Sequence, residues 1–368
     1  MTARRTRSTA AWWRRPYVWA LVSAGAVLVA NASGIAIGDD GVGYQATADH
    51  LLAGRGLGYF LEPKLTIWPP GWPLLMAFVA RITPLDTAQA AVALNALTAF
   101  VMVLLVNRLL RHLVRSGELV LLGTVVVAIG ASSMVFGHLL MTDFAFAAVT
   151  IALLLTLINF RRSDGLGWLV LSIALVWGGF MIRYAGIVHI ATGAVWFLVD
   201  RRYTLWARAR WTAFWIGAAS IVPGIWILRN LSTDKTALGV RYSSARGLLG
   251  NALDMFATIG NFLMPGVQIE MRTVWAVVSL AGCAVVAWFL WRIVRSRPHL
   301  RSARGWVDFA GGALGLVTLH IGIYLAYMLY ARTTTGLNRL DFRLLNPVYL
   351  PLVVVGLVAV DRIAELDP

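Results

Sequence analysis

Residues 38–73 read GDDGVGYQATADHLLAGRGLGYFLEPKLTIWPPGWP, and this polar stretch interrupts a chain that is otherwise made mostly of apolar runs. It follows directly on the apolar run 17–37. Two adjacent carboxylates, Asp39 and Asp40, stand at the point where that run ends. Charged side chains at a membrane boundary are costly to place and are usually functional. The simpler alternative is that both acids only solvate a loop.

The composition indicates a membrane protein. Of 368 residues, 59% are hydrophobic and 13% are charged, whereas soluble domains have about 45–50% apolar and about 25% charged residues. The apolar residues come in runs long enough to cross a bilayer, which takes about 20 residues. The net charge of +15 is spread over the gaps between these runs, so a nucleic-acid partner is excluded. The single cysteine, Cys283, provides neither a disulfide framework nor a cysteine metal site.

The predicted fold is an all-α polytopic membrane protein with about ten transmembrane helices. The predicted spans are 17–37, 88–107, 119–137, 143–160, 167–183, 186–199, 212–228, 273–291, 307–330 and 346–360. The segment 72–82 is too short to cross and is expected to form a re-entrant or interfacial helix in the first outer loop. No internal repeat or linker separates a soluble domain, so we expect one integral membrane domain over 17–360.

Charge predicts the orientation. Arginines crowd the amino-terminal segment 1–16 and the short gaps on the same side of the predicted spans, and such gaps normally face the cytoplasm. We therefore expect a plasma-membrane protein with cytoplasmic tails at 1–16 and 361–368. Its outer loops are predicted at 38–87, 229–272 and 331–346. A cleaved signal peptide ending near Ala30-Asn31-Ala32 is the alternative for the first run, which is long for such a signal.

A short helix is predicted after the two acids. Tyr44, Ala48 and Leu52 share one face at helical spacing, and Gly54 is expected to end the helix. Such a helix would lie in the interface with Asp40 just before its amino end. A carboxylate there is favoured by the helix dipole and by free backbone N–H groups.

Several motifs then point in the same direction. They are Asp40 with Tyr44 four residues on, Ala48-x-x-Leu51-Leu52-x-Gly54-Arg55-Gly56-Leu57, Trp68-Pro69-Pro70-Gly71-Trp72-Pro73, Met141-Thr142-Asp143-Phe144, Arg183-Tyr184, Trp226-x-x-Arg229-Asn230, Gly239-x-Arg241 and Asp341-x-Arg343-Leu344-Leu345-x-Pro347. Over residues 15–355 the chain resembles the polyprenyl-phosphate-sugar-dependent glycosyltransferases of the C superfamily (GT-C). That superfamily includes protein mannosyltransferases and lipid A aminoarabinose transferases.

The resemblance implies an activity. Such enzymes move a sugar from a polyprenyl phosphate to an acceptor hydroxyl on the outer face of the membrane and invert the anomeric centre. A first-loop Asp four residues before the Tyr acts as base, which selects Asp40. Asp39 could orient the acceptor or help to hold a divalent cation. No cofactor is certain, and a divalent cation stays open. The acceptor could be a glycan, a lipid or a protein.

The other candidate residues each have a structural alternative. Asp143 is the second candidate acid, and its alternative is the amino-terminal cap of a helix. The candidate donor-phosphate ligands are Arg183, Arg343, Arg241, Arg229 and Arg332. For each arginine the alternative is snorkelling to lipid headgroups, and for Arg343 it is also a salt bridge to Asp341. The candidate sugar or acceptor contacts are Tyr44, Trp68, Trp72 and Asp341.

Two other functional classes compete with the transferase hypothesis. A transporter or flippase of a lipid-linked precursor would place charged residues near the middle of the bilayer and often shows inverted repeats. Here acids are nearly absent from the middle of the spans, and no repeat is found. The third hypothesis is a catalytically inactive scaffold of the same fold.

Overall fold

The computed structural model describes residues 12–61, 64–262 and 302–364, together with single positions between 274 and 295. All regular structure in these ranges is helical, so the predicted all-α class is confirmed. The predicted span 273–291 falls largely outside the described residues. The predicted tail segments 1–11 and 365–368 and residues 263–272 of the predicted outer loop also lie outside them.

Fifteen helices have described bounds. They are α1 (Pro16–Ala30), α2 (Asp39–Leu52), α3 (Gly71–Ile82), α4 (Thr87–Leu113), α5 (Gly117–Ile129), α6 (Ala131–Phe136), α7 (Asp143–Ser163), α8 (Leu166–Ile182), α9 (Ile187–Val199), α10 (Leu205–Ala219), α11 (Ile221–Asp234), α12 (Leu248–Asn261), α13 (Ala303–Ala310), α14 (Ala313–Thr334) and α15 (Phe342–Ala364). Two 3-10 turns, Trp12–Arg14 and Tyr184–Gly186, precede α1 and α9.

The helices fit a polytopic membrane protein. Within the described ranges, five stretches are long and apolar enough to cross a membrane: α4, α5 with α6, α7, α14 and α15. The bent pair α10 and α11 makes a sixth if it is counted as one span. Further apolar helices of 10–17 residues include α1, α3 and α8. The predicted total of about ten therefore depends on whether these shorter helices also cross.

The first span is shorter than the predicted range 17–37, because α1 ends at Ala30. The side chain of Asn31 donates hydrogen bonds to the carbonyls of Val27 and Gly137 and so ties the helix end to a neighbouring segment. The chain then runs extended, and Ala36 pairs with Leu139 in a parallel bridge. This connection carries the chain from α1 to the first residue of α2.

Two other predicted spans are interrupted. The segment 119–137 breaks at Gly130, whose extended backbone separates α5 from α6. The segment 212–228 bends by 45° between α10 and α11. Pro223 lies in the first turn of α11 and has no N–H to donate back to the preceding helix. Both breaks therefore have a local backbone cause.

Helix α7 forms the centre of the bundle and is the most enclosed of the candidate spans in the described part. It packs against α4, α8 and α15, and the pairs α1–α4 and α9–α10 pack beside it. Large buried side chains such as Phe144, Phe146 and Phe160 line its length. Because α7 is held on all sides, its first residue, Asp143, has a fixed position.

The two ends of the bundle differ in charge chemistry. At one end, Arg162 of α7 donates to His112 of α4, and the Asp361 carboxylate accepts from two backbone N–H groups of the α4–α5 turn. We name this the basic end. The opposite end, named the site end, carries Asp40, Asp143, Arg183 and Arg343. The first loop and the segment 235–247 also lie there.

Candidate active site

The two adjacent acids of the first loop point to different places. The sequence predicted a helix starting after Asp40, but α2 already begins at Asp39, and both acids lie in its first turn. Neighbouring positions on a helix face about 100° apart. Asp39 is consequently exposed, whereas Asp40 is partly buried and lines a cavity. Both carboxylates remain favoured by the free N–H groups and the dipole of the helix start.

Asp40 is paired with an arginine from the other end of the chain. The Nη2 atom of Arg343 donates to Oδ2 of Asp40 over 2.7 Å, and the two side chains are 20% and 40% exposed. The predicted alternative, a salt bridge between Arg343 and Asp341, is not what the structure shows. Asp341 instead accepts from the backbone N–H of Leu344 at 3.0 Å and thus caps α15.

Asp143 is an ion-pair partner rather than a capping residue. The cap of α7 is Thr142, which makes no side-chain capping bond. Oδ1 of Asp143, only 1% exposed, accepts from Nη1 of Arg183. Its Oδ2 lies 4.0 Å from Nε of Arg343, and neither of these two atoms has a hydrogen-bond partner in the described part of the chain. Asp40, Arg343, Asp143 and Arg183 therefore form a row of alternating charge.

A cavity of about 300 Å³ opens beside this row. Its wall combines charged groups, aromatic rings and backbone. The lining residues are Asp40, Tyr44, Ile67, Trp68, Pro69, Ile182, Arg183, Tyr184, Ala185, Leu238, Arg241, Tyr327, Met328, Ala331, Thr335, Gly336, Leu337, Asn338, Arg343 and Leu344. Asp143 is not among them and lies behind the two arginines. The cavity thus presents one carboxylate and three guanidinium groups to a ligand.

Aromatic side chains form one wall of the cavity. The rings of Tyr44 and Trp68 meet edge to face, with centroids 5.4 Å apart, and Tyr59 packs on Trp68 at 5.0 Å. Burial, together with the nearby Asp40 carboxylate, raises the pKa of Tyr44 to about 12. Tyr44 therefore stays neutral at physiological pH and keeps its hydroxyl proton. Gly43 lies directly against the Trp68 ring, where any Cβ would collide.

Four side chains hold the loop that carries Trp68. The carbonyls of Leu65, Thr66 and Ile67 accept in turn from Arg229, Tyr184 and Arg241, and the Thr66 hydroxyl donates to Asp234. We name Tyr184, Arg229, Asp234 and Arg241 the loop clasp. Three successive carbonyls fixed from one side leave this backbone little freedom. The loop clasp thereby sets the position of the next residue, Trp68, in the cavity wall.

The structure brings some of the predicted site residues to the cavity and places others away from it. Arg183, Arg241, Arg343, Asp40, Tyr44 and Trp68 line it. Arg229 holds Leu65 instead, and Arg332 donates to Ser244 at 2.9 Å. Trp72 is 1% exposed in the core around α3, because its helix turns that face inwards. Asp39 and Asp341 are also outside the described lining.

Other lining residues were not singled out from the sequence. Tyr184 belongs to one of the motifs, Tyr327 falls in the predicted span 307–330 and the loop 335–338 falls in the predicted outer loop 331–346, but none of them was a candidate site residue. A usable signal existed for the tyrosines. Tyr184 directly follows Arg183 at a break between two apolar helices, and Tyr327 belongs to a Tyr324, Tyr327, Tyr330 series on an otherwise apolar helix. For the individual residues of the loop 335–338, no sequence signal was available.

A metal site has little support in the described ranges, where no three His, Cys, Asp or Glu side chains come together. The two acids nearest the cavity, Asp40 and Asp143, each face an arginine. A cation at either acid would have to displace or accommodate that guanidinium. We therefore assign no chemical step to a metal.

Comparison with solved structures identifies the fold. ArnT from Cupriavidus metallidurans bound to undecaprenyl phosphate superposes with a TM-score of 0.62 at 16% identity, covering 94% of this chain and 60% of that chain. The apo state of the same protein gives 0.60 at 17% identity, covering 94% and 59%. The chain thus shares the fold of these ArnT structures, which is the fold that the resemblance predicted. The chain spans about 60% of the length of these ArnT structures. No family model and no curated protein matches its sequence.

Proposed function

We propose that this protein is a membrane glycosyltransferase that takes a sugar from a polyprenyl-phosphate donor and transfers it to an acceptor hydroxyl. The observation that carries the proposal is the cavity in which the Asp40 carboxylate lies beside the guanidinium groups of Arg183 and Arg343. A carboxylate can take the proton of an attacking alcohol, and guanidinium groups bind phosphate through paired hydrogen bonds. The shared fold with ArnT, which binds undecaprenyl phosphate in its solved structure, supports the donor class.

The proposed reaction is a single displacement at the anomeric carbon. The acceptor oxygen forms a bond to that carbon while the bond from the carbon to the phosphate oxygen breaks, which inverts the configuration. The electron pair of the broken bond stays on the polyprenyl phosphate. The proton of the acceptor hydroxyl passes to Asp40. Because the leaving group is already a phosphate, it needs cationic contacts rather than an acid.

Each lining residue has a role in this proposal. Arg343 and Arg183 contact the donor phosphate, and Arg241 lies at the same cavity with part of its guanidinium held by Ile67. Trp68 and Tyr44 present aromatic surface to the sugar or the isoprenoid. Asp143, buried behind the arginines, holds Arg183 in place. Asp39 is left out of the machinery because it is exposed and outside the described lining.

We also propose that the site end faces the outside of the plasma membrane. The basic end collects Arg111, Arg161 and Arg162 in the last turns of α4 and α7 and Arg202 in the loop after α9. Short arginine-rich loops are normally retained in the cytoplasm. Acceptor recognition then falls to the outer segments 229–272 and 331–346 or to a partner protein. The sugar transferred is a hexose or a pentose.

The experiment that tests the function is ligand-induced stabilisation of the purified protein. The melting temperature is measured with polyprenyl-phosphate sugars, bare undecaprenyl phosphate and nucleotide sugars. A ligand that binds only the folded state stabilises it by mass action, by about 2.7 kcal/mol at a concentration one hundred times its Kd. We expect a rise with polyprenyl-phosphate ligands and none with nucleotide sugars. No rise with any polyprenyl phosphate contradicts the proposed donor class and favours the inactive scaffold.

A further inference from the structure

Arg343 is shared between two acids in a way that Arg183 is not. Its Nη2 is bonded to Asp40 at 2.7 Å, while its Nε faces Asp143 at 4.0 Å without a hydrogen-bond partner in the described ranges. Arg183, by contrast, is bonded to Asp143 at a site where the two side chains are 14% and 1% exposed. The pair of Arg183 and Asp143 is thus nearly buried, whereas both members of the pair of Arg343 and Asp40 reach solvent.

Two anions of the proposed reaction, the Asp40 carboxylate and the donor phosphate, need the same guanidinium of Arg343. In the structure its guanidinium is bonded to Asp40, the proposed base. The donor phosphate is a second anion that needs the same guanidinium, and a carboxylate and a phosphate select the same planar donor geometry. If both anions stayed on one guanidinium, two negative charges would lie close together in a partly desolvated cavity, which is unfavourable.

We propose that the donor phosphate and Asp40 compete for Arg343, so that donor binding withdraws the guanidinium from Asp40 and frees that carboxylate for the acceptor hydroxyl. This inference rests on the proposed function. It adds an exchange between a resting state, in which Arg343 neutralises the base, and a donor-bound state, in which Arg343 neutralises the phosphate. Arg343 is then a positioning residue for the base as well as a phosphate ligand.

The geometry makes Arg343 the group that can exchange. Asp40 and Arg343 are 40% and 20% exposed, and ion pairs that reach solvent are weakly held. Nε of Arg343 and Oδ2 of Asp143 lie 4.0 Å apart, and neither has a hydrogen-bond partner in the described ranges. The guanidinium can therefore move towards this second carboxylate when it leaves Asp40. Arg183 has no such freedom, because breaking its buried pair would leave an uncompensated charge.

The exchange has a consequence for product release. After transfer, the sugar-free polyprenyl phosphate still occupies Arg343, and the proton taken by Asp40 must leave before the carboxylate is charged again. Once charged, Asp40 competes with the product for Arg343. The resting ion pair therefore lowers the affinity for the product, and a variant that cannot form the pair should hold the product more tightly.

The test is the affinity of the purified full-length protein for bare undecaprenyl phosphate, measured by titration in detergent micelles. Asp40→Asn removes the competing charge and keeps the shape of the side chain. Asp39→Asn is the matched control. It removes the same charge at the neighbouring position, where the side chain is exposed and outside the described cavity lining. We expect Asp40→Asn to bind about fivefold more tightly than the wild type, the size of a partly exposed ion pair. Asp39→Asn should stay within about twofold of the wild type.

A double substitution separates competition from general electrostatics. Arg343→Gln should weaken binding by about tenfold or more, and adding Asp40→Asn to it should give no gain, because the contested group is gone. Equal tightening by Asp39→Asn and Asp40→Asn, or no tightening by Asp40→Asn, overturns the exchange even if Arg343→Gln does not fold. A wild-type protein that fails to bind undecaprenyl phosphate at all overturns the proposed donor class itself, which is a different result.

Discussion

The hydroxyl of Tyr184 donates a 2.6 Å hydrogen bond to the carbonyl of Thr66, a residue 118 positions earlier in the chain. The same oxygen accepts from Nε1 of Trp226 at 3.1 Å and from Nδ2 of Asn230 at 3.0 Å. One side chain at the break between α8 and α9 thus joins the first loop to α11. The position of Trp68 in the cavity wall depends on this junction.

Tyr184→Phe should loosen the first loop. The substitution leaves the Thr66 carbonyl and the donors of Trp226 and Asn230 without their shared partner, and such losses cost about 1–3 kcal/mol for buried groups. We expect a lower melting temperature and faster amide exchange over residues 64–70. The control is Tyr330→Phe, whose ring is 67% exposed and should change neither quantity. Unchanged exchange over 64–70 in Tyr184→Phe would show that the loop clasp does not hold the loop.

Arg183→Gln should destabilise the fold far more than the loss of a surface arginine. It leaves the Asp143 carboxylate buried without a bonded cation, which costs about 3–5 kcal/mol. The matched control is Arg14→Gln, which breaks a pair to Glu118 whose side chains are 51% and 69% exposed. Exposed pairs contribute about 0–1 kcal/mol. The melting temperatures of both variants are measured in the same detergent. An equal fall in melting temperature for Arg183→Gln and Arg14→Gln would contradict the structural role of the buried pair.

Asp40→Asn should remove transfer while the fold persists. An amide cannot take the proton of the acceptor, and general base catalysis contributes about 10²–10⁴ in rate. We expect a loss in that range with a donor-induced rise in melting temperature at least as large as in the wild type. Sugar transfer from a labelled polyprenyl-phosphate donor measures the first quantity. Full transfer activity in Asp40→Asn would eliminate the assignment of the base.

Gly43→Ala should displace the indole of Trp68. A methyl group at Gly43 meets the Trp68 ring, so the helix or the ring must move. In most helices this substitution is favourable by about 1 kcal/mol, and Gly25→Ala in α1, where a Cβ meets nothing within 4 Å, is the control that should show it. We expect Gly43→Ala alone to lose thermal stability and donor binding. Equal stability of the two variants would mean that Trp68 is free to relocate.

The orientation of the bundle can be tested with two exposed serines. Ser232 lies in the last turn of α11, at the site end of the bundle, and Ser163 is the last residue of α7, at the basic end. Each is replaced by cysteine. Each hydroxyl makes a similar bond to a carbonyl three or four residues before it. In a Cys283→Ala background, an impermeant maleimide should label position 232 in intact cells and position 163 only after permeabilisation. The reverse pattern would place the cavity on the cytoplasmic side.

Local features of the sequence predicted the first loop well. The spacing of Tyr44, Ala48 and Leu52 predicted the short helix, and Gly54, with φ +70°, follows the predicted end of that helix. These features depend on residues close in sequence, whose geometry is set by the helix itself. The exposed position of Asp39 also follows from helical geometry once the helix is known to start two residues earlier than predicted.

The roles of the arginines could not be read in the same way. Arg229, Arg241 and Arg343 look alike in sequence, since each lies in one of the predicted outer loops. Their partners are the carbonyls of Leu65 and Ile67 for the first two and Asp40 for the third. Such pairings depend on how distant helices pack, and no local pattern encodes them. The same reason explains why Trp72 was predicted at the cavity but is buried.

The pair of Asp40 and Arg343 joins residues that are 303 positions apart, and this separation has a consequence for biosynthesis. Helices are made and inserted in order, and domains begin to fold during synthesis. Asp40 is therefore synthesised long before its partner, and the pair can form only when α15 has been made and packed against α7. The cavity wall is complete only once α15 is in place, so a nascent or truncated chain that ends before α15 carries Asp40 without Arg343.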